Sequence, residues 1–568
     1  MNNTNYIQNQ LNQPNCEMKS DSCGVTHERR SANYKPNIWS YDFVQSLTSE
    51  FTEKKYIERA EKLKVKVMHM LSEVPELSKP HIVETIRKLG LSNVLHMEIR
   101  DTLDSMVSNL NSNDNACFEQ DILGTSLSFR LLRQHGYNVS QEMLVDFIGE
   151  MDFLMENSSS KFDLRGILEL FEACHLAVEG EELMEKAKAF SHKYLTDNYL
   201  DMDVNLAKHV TFALEIPCHR KVLSFDVSRQ IRYYELKDNK NLILLELAKL
   251  NFNIVQAMHL EDLKEMSRWW KNLGLIENIS FTRDRLVESF LWTVGVACEP
   301  QHSLLRKCLT KVVTFVLVLD DAYDIYGSFE ELECFTRIVE RWDYKEVEQL
   351  PECMKICFQA LVTTTNEIAT DIQKAKGWND ISPFLKTGWA DFCKALLREA
   401  WWYKKRYIPS LDDYLNSAWI SSSGPLLSLI ALLCTADCTS EELNDKWEDS
   451  QDLIYYSSLI IRLLNDQGTS AAELERGDAH SSIMCYMVGA GVTEEIAREH
   501  MKDIIDSAWS KINMELLSAT SREQTFVNLV INTARVCHFI YQKGDGFSVQ
   551  DGDTKNKIKR LLIEPLKL

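Results

Sequence analysis

The sequence predicts an all-α fold on three observations: turn formers are scarce, apolar residues recur every three or four positions, and period-2 alternation is rare. With 20 Gly and 11 Pro in 568 residues, the chain lacks what hairpins need, while the helix formers Leu, Glu, Lys, Ala and Met are abundant. Its length exceeds what one core organises, so two helical domains are expected.

Residues 1–28 are polar and rich in Asn and Gln, with no Arg and no apolar centre. They read as a disordered tail, matching neither a secretory signal nor an Arg/Ser-rich plastid leader. Beyond it, Leu91, Leu95, Ile99, Leu103, Met106 and Leu110 trace one helical face. The polar stretch Glu235–Asn241 can add nothing to a core, so it divides an N-terminal domain, 29–240, from a C-terminal one, 241–568. The second opens with the single face Leu244, Leu247, Ala248, Phe252 and Val255.

A formal net charge of −21, with no basic stripe to offset it, argues against nucleic acid as a partner. Apolar runs such as Val312–Leu319 and Pro425–Ala436 fall short of the ~20 residues of a membrane span, so no transmembrane segment is expected. Fifteen Cys, scattered without a CxxC pair, read as reduced thiols in a cytosol-like compartment.

Chemistry concentrates in two segments. In VLVLDDAYDIYG an apolar helix ends in Asp320, Asp321 and Asp324. On a helix Asp320 and Asp324 stand ~6 Å apart on one side, with Asp321 about 100° around. Three crowded carboxylates require a counter-charge, and Mg²⁺, which takes carboxylates together with substrate phosphates, is the natural one. In IIRLLNDQGTSAAELERGD, Asn465, Thr469 and Glu473 form a stripe of oxygen donors at i, i+4 and i+8. Alone, the first also reads as a solvated acidic helix end and the second as an ordinary amphipathic surface. Together they suit opposite walls of a bundle holding divalent ions around a polyanionic leaving group. Arg283, Arg285 and Arg462 add guanidinium forks shaped for diphosphate oxygens, though each alone also fits a surface ion pair.

The set RRSANYKPNIW (Arg29, Arg30, Trp39), RDR (283–285), DDAYD (320–324) and NDQGTSAAE (465–473) resembles the plant terpene synthase family from Arg29 to the C-terminus. The resemblance implies two helical domains: a C-terminal class I terpenoid synthase bundle that carries catalysis and an N-terminal relict helical barrel. It implies a lyase acting on a prenyl diphosphate, with three Mg²⁺, Mn²⁺ serving as a substitute. Asp320, Asp321, Asn465, Thr469 and Glu473 would be ligands, and Asp324 a ligand or a hydrogen-bonding support. Asp320, Asp324 and Asn465 would meet the substrate, and Arg283, Arg285 and Arg462 would grip the departing diphosphate. The N-terminal domain has DMDV at 201–204 but no DxDD, so protonation-initiated cyclisation is not implied.

An allylic cation needs a dry, aromatic pocket. Trp292, which matches a pocket Trp of the family, is the foremost wall candidate; Trp269, Phe315, Tyr326, Trp419, Tyr541 and Phe547 are others, several relatives having Tyr at the last position. Ile420–Pro425 (ISSSGP) reads as a helix interruption, and Asp545 and Gly546 resemble a pocket-capping loop.

RRSANYKPNIW resembles the subfamily of angiosperm monoterpene synthases that also includes farnesene and santalene synthases. The tail composition argues for the cytosol over the plastid, hence for farnesyl over geranyl diphosphate. A monomer is expected. Chain-elongating prenyltransfer would call for a second DDxxD where Asn465, Thr469 and Glu473 stand, and a dead isoprenoid-binding protein would show a damaged ligand; neither feature is visible.

Overall fold

The computed structural model describes residues 34–111, 121–149, 162–279, 281–476, 480–547 and 549–568; of 111 and 472–476 only the helical backbone is described. The tail 1–28 and the pair Arg29 and Arg30 lie outside the described residues, as does the side chain of Glu473. Every regular element among the described residues is helical.

The periodic face read from the sequence is buried: Leu91, Leu95, Ile99, Leu103 and Met106 are all at most 4% exposed. With Phe129, Leu131, Ile167, Leu170 and Leu195 they form the first core. Its helices start where side chains replace missing backbone partners, with Asp121, Asp163 and Asp203 each accepting from a first-turn N–H. Arg130, nearly sealed inside, pairs with Glu84 and Glu169, a buried ion cluster unrelated to the cavity described below.

Connectivity breaks at the polar stretch: one helix ends at Glu235, and Asn241 caps the next through the N–H groups of Ile243 and Leu244. Packing divides elsewhere. The 32-residue helix Leu242–Leu273 gives Leu244, Leu247, Ala248 and Leu250 to the first core and Leu263, Met266 and Trp270 to the second. Trp39 and Val44 from the chain start pack in the second core, and Leu566 near its end packs in the first, tied through both backbone groups to Asn253. The two cores also meet where Lys188 and Arg220 pair with Asp506 and where Asn513 donates to the carbonyls of His175 and Ala177.

The second core surrounds a bundle that includes Leu286–Val296, Ser303–Asp321, Ser382–Lys405, Leu411–Ser421, Gly424–Thr435, Gln451–Arg476 and Gln524–Tyr541. The stretch Leu411–Thr435 is long and apolar enough to cross a membrane, but it is mostly buried and interrupted. Ser423 adopts φ 67°, left-handed backbone unusual for serine, and a new helix starts at Gly424. A Cβ on Gly424 would stand 2.1 Å from Ser458 Oγ, so only glycine lets these helices approach so closely.

Candidate active site

One cavity is lined from seven helices of the bundle, and along three of its walls the inward residues grade from polar to apolar. On Ser303–Asp321 and the turn after it, Val313, Val316, Leu317, Asp320 and Asp324 line it at helical spacing. Seven residues separate Val313 from Asp320, about 10 Å of helix, so carboxylates mark the mouth and valine the floor. Ile461, Arg462, Asn465 and Thr469 repeat that order on Gln451–Arg476, and Cys537, Tyr541 and Asp545 do so along a third wall. Trp292, Leu427 and Phe547 complete the apolar surface.

The aspartate helix does not stop at Asp321. It widens into a π-turn over Ala322–Tyr326, closed by Gly327 N–H donating to Ala322 O at 2.8 Å. Asp320 and Asp324 share the cavity as their spacing predicts. Asp321 is wholly buried: its Oδ2 accepts from Arg283 N at 2.9 Å, Arg283 Nε at 3.3 Å and Thr282 Oγ1 at 3.1 Å. Arg283 Nη2 also donates to Asp320, and its guanidinium lies 5.0 Å from the Tyr34 ring. Burial opposes the Arg283 charge, but the Asp321 and Asp320 carboxylates hold it protonated well above the usual arginine range.

Across the cavity, Arg462 Nη2 donates to Ser421 Oγ at 2.9 Å and lies 3.9 Å from Glu399; its Nη1 is 3.9 Å from Asp466. Burial pushes both the Glu399 and Asp466 carboxyls up, with Arg462 opposing. Asp466 is held by Tyr414 Oη at 3.0 Å and Ser482 N at 2.8 Å. Thr469 Oγ1 donates to Asn465 O at 2.8 Å, which leaves its lone pairs available, and the Asn465 side chain hydrogen-bonds Tyr541.

Arg285 does not line the cavity. It is 1% exposed, and its Nη2 donates to Lys35 O at 2.9 Å, so it anchors the segment that brings Tyr34 over the mouth. Asn37 to Asp284 at 3.0 Å and Trp39 Nε1 to Glu288 at 3.1 Å fasten the same segment. Trp292, Tyr541 and Phe547 line the cavity, but the other aromatic candidates do not. Trp269 and Phe315 pack on each other in the core, Tyr326 stacks on Phe281 at 4.4 Å, and Trp419 packs edge-on against Tyr455. Ser421, Ser422 and Ser423 line it at the helix break. Tyr34 and Glu399 were not anticipated; Tyr34 sits inside the quoted RRSANYKPNIW segment, whereas Glu399 carries no local signal.

The donors fit a hard cation. Asp320, Asp324, Asn465 and Thr469 present only oxygen toward the mouth or an amide that can, and Arg283 now supplies the counter-charge for the acidic wall. Among the described residues no three His, Cys, Asp or Glu side chains form a closed metal cage.

Residues 38–214 match the terpene synthase N-terminal domain and residues 271–511 the terpene synthase family metal binding domain. An alpha-farnesene synthase of Ricinus communis is 49% identical over 97% of this chain and 98% of its own. A solved structure of limonene synthase with 2-fluorolinalyl diphosphate superimposes with TM-score 0.88 at 35% identity, covering 95% of this chain and all of that one. Isoprene synthase from leaves of Populus x canescens, in complex with three Mg²⁺ ions and dimethylallyl-S-thiolodiphosphate, gives TM-score 0.82 at 38% identity, covering 94% and 99%.

Proposed function

The chain belongs to the terpene synthase family, as a Mg²⁺-dependent lyase of prenyl diphosphates, and from that premise we propose that it ionises farnesyl diphosphate to a sesquiterpene and inorganic diphosphate. One observation carries the reading: the cavity is itself amphiphilic, oxygen donors and two guanidinium groups at the mouth and hydrocarbon side chains about two helical turns below.

Asp320, Asp321, Asp324, Asn465, Thr469 and Glu473 are assigned to hold Mg²⁺, which supplies charge neutralisation of the leaving diphosphate. Asp321 would hold the metal only by giving up Arg283, which would then be free to grip the same diphosphate. Arg462, already at the mouth, meets the anion from the opposite side. Trp292, Val313, Leu427 and Phe547 exclude water from the cation, and the Trp292 face favours passing positive charge. The farnesyl assignment draws on the 49% identity to the Ricinus alpha-farnesene synthase. Geranyl diphosphate is the second reading, favoured by the RRSANYKPNIW segment and the likeness to limonene synthase.

Purified protein is incubated with Mg²⁺ and, separately, geranyl, farnesyl and geranylgeranyl diphosphate, and products are identified by gas chromatography with mass spectrometry. A sesquiterpene from the farnesyl substrate at the highest kcat/KM is expected; higher kcat/KM on geranyl selects the second reading, and no product from any defeats both. A cytosolic monomer belongs to the proposal, the compartment resting on fifteen Cys scattered without a CxxC pair. A fluorescent fusion and size-exclusion chromatography test it.

A further inference from the structure

Glu399 lies in the cavity wall outside the expected metal ligands and the diphosphate-binding arginines. It is 6% exposed, and its neighbours engage one oxygen: Oε1 accepts from Ser421 Oγ and is the atom 3.9 Å from Arg462 Nη2. Oε2 takes no hydrogen bond among the described residues and is not one of the sealed, unpartnered atoms of the interior. A nearly buried carboxylate therefore keeps one oxygen for whatever fills the cavity.

Its height matters as much as its direction. Glu399 stands beside Arg462, one turn before Asn465, and so at the diphosphate end rather than at the Trp292 and Val313 floor. After ionisation the positive charge spreads over the first three carbons of the prenyl chain, the part nearest that end. The C–H bonds adjoining those carbons are the acidic ones. On the ionisation reading given above, we propose that Glu399 is a catalytic residue that accepts the terminating proton. A C–H bond beside the allylic cation breaks, its electron pair becomes the new C=C bond, and the proton passes to Glu399 Oε2. Diphosphate carries away the electron pair of the broken C–O bond, and the proton returns to solvent when the product leaves.

Burial, which disfavours the carboxylate charge, makes Glu399 a stronger base, with Arg462 opposing. Quenching so near the ionised end precedes any folding of the distal double bonds onto the cation, so the product is an acyclic tetraene whose new double bond completes a conjugated diene.

The test is Glu399→Gln, which keeps volume and an acceptor for Ser421 but cannot take the proton. The readout is acyclic tetraene formed per diphosphate released, a ratio independent of rate. We expect it to fall about fivefold or more, with alcohols and cyclised products making up the difference, and Glu399→Asp to restore it in part. Binding of Mg²⁺ with inorganic diphosphate, followed by calorimetry, is expected within about twofold of wild type. An unchanged ratio overturns the proposal in favour of diphosphate itself as acceptor. Weakened diphosphate binding with an unchanged product profile reduces Glu399 to a positioning residue for Arg462 and overturns it too. A wild-type profile dominated by cyclised products has the same force. If Glu399→Gln does not fold, Ser421→Ala frees the carboxylate to turn; its ratio should shift in the same direction, and constancy counts against the proposal. Absence of diphosphate release by the wild type would defeat the ionisation reading itself.

Discussion

The two walls of the cavity solve the same electrostatic problem in opposite ways. On the aspartate wall, Arg283 is bonded directly to Asp321 and Asp320, the groups assigned to metal. On the facing wall, Arg462 keeps 3.9 Å from Glu399 and Asp466, neither assigned to metal, while Asn465 and Thr469 stand apart from any ion pair. The first wall is closed on itself and would have to exchange partners to hold the cation. The second is set beforehand by neutral donors, Tyr414, Ser482 and Ser421. A buried charge pair costs much to separate unless another charge replaces the lost partner, so metal and arginine substitute for one another on the first wall only.

The largest effects should come from the aspartate wall. Asp320→Ala and Asp321→Ala should each lower kcat by about 10³-fold, the scale of losing a principal electrostatic contact. They should differ in stability. Asp321 is fully buried under three donors, whereas the Asp320 side chain is 36% exposed. Only Asp321→Ala should lower unfolding free energy, by about 2 kcal/mol in urea titration, because it strands buried donors. Equal stability losses would break the contrast.

Arginine-to-lysine exchange sharpens it next. Arg283→Lys forfeits a fork that meets two carboxylates, and should cost about 10²-fold in kcat/KM, or ~2.7 kcal/mol. Arg462→Lys replaces a looser contact and should cost about tenfold. Steady-state kinetics at saturating Mg²⁺ decides, and equal losses would mean that both walls rearrange.

What could be read beforehand follows the same division. Helical period and composition predicted the fold class, and the stripes Asp320/Asp324 and Asn465/Thr469 predicted which residues share a face, because both are local properties of a helix. Partners distant in sequence could not be read that way. Arg285 was assigned to diphosphate, yet its partner Lys35 O is 250 residues away and turns it from the cavity. Asp321 likewise needed Arg283 to bury it. The aromatic residues divided for a different reason: a central helix of a bundle has buried faces on several sides, so spacing alone cannot separate cavity from core at Trp269, Phe315 or Trp419. The domain division at Asn241 marks a loop, but the helix after it serves both cores.

On the second wall, Tyr414→Phe removes a hydroxyl that donates to Asp466 at 3.0 and 3.1 Å. It should cost about 2 kcal/mol of stability, as for a hydrogen bond to a charged group. The Mg²⁺ concentration for half-maximal rate should not move, since Asn465 and Thr469 keep their own contacts; a large rise would show that Asp466 acts on the metal.

The smallest effect concerns the helix packed beside that wall, Gln524–Tyr541, which brings Cys537 and Tyr541 to the cavity. His538, half-buried next to Cys537, accepts from Trp509 Nε1 at 3.1 Å, and desolvation lowers its pKa to about 3. A histidine depressed in the folded state is neutral in both states above its ordinary pKa of about 6.5. Below that pH the unfolded chain takes up the proton and the folded chain does not, so stability falls with acid until the folded pKa is reached. Glu399 and Asp466 act with the opposite sign, since carboxyls raised by burial gain stability as they protonate at lower pH. His538→Asn keeps an acceptor for Trp509 and removes only the histidine contribution. Between pH 7.5 and 5.5 the wild type should therefore lose about 1.4 kcal/mol more than His538→Asn in urea titrations. Identical slopes would mean that the helix opens enough to let His538 protonate in the folded state, and the second wall would then not be the fixed one.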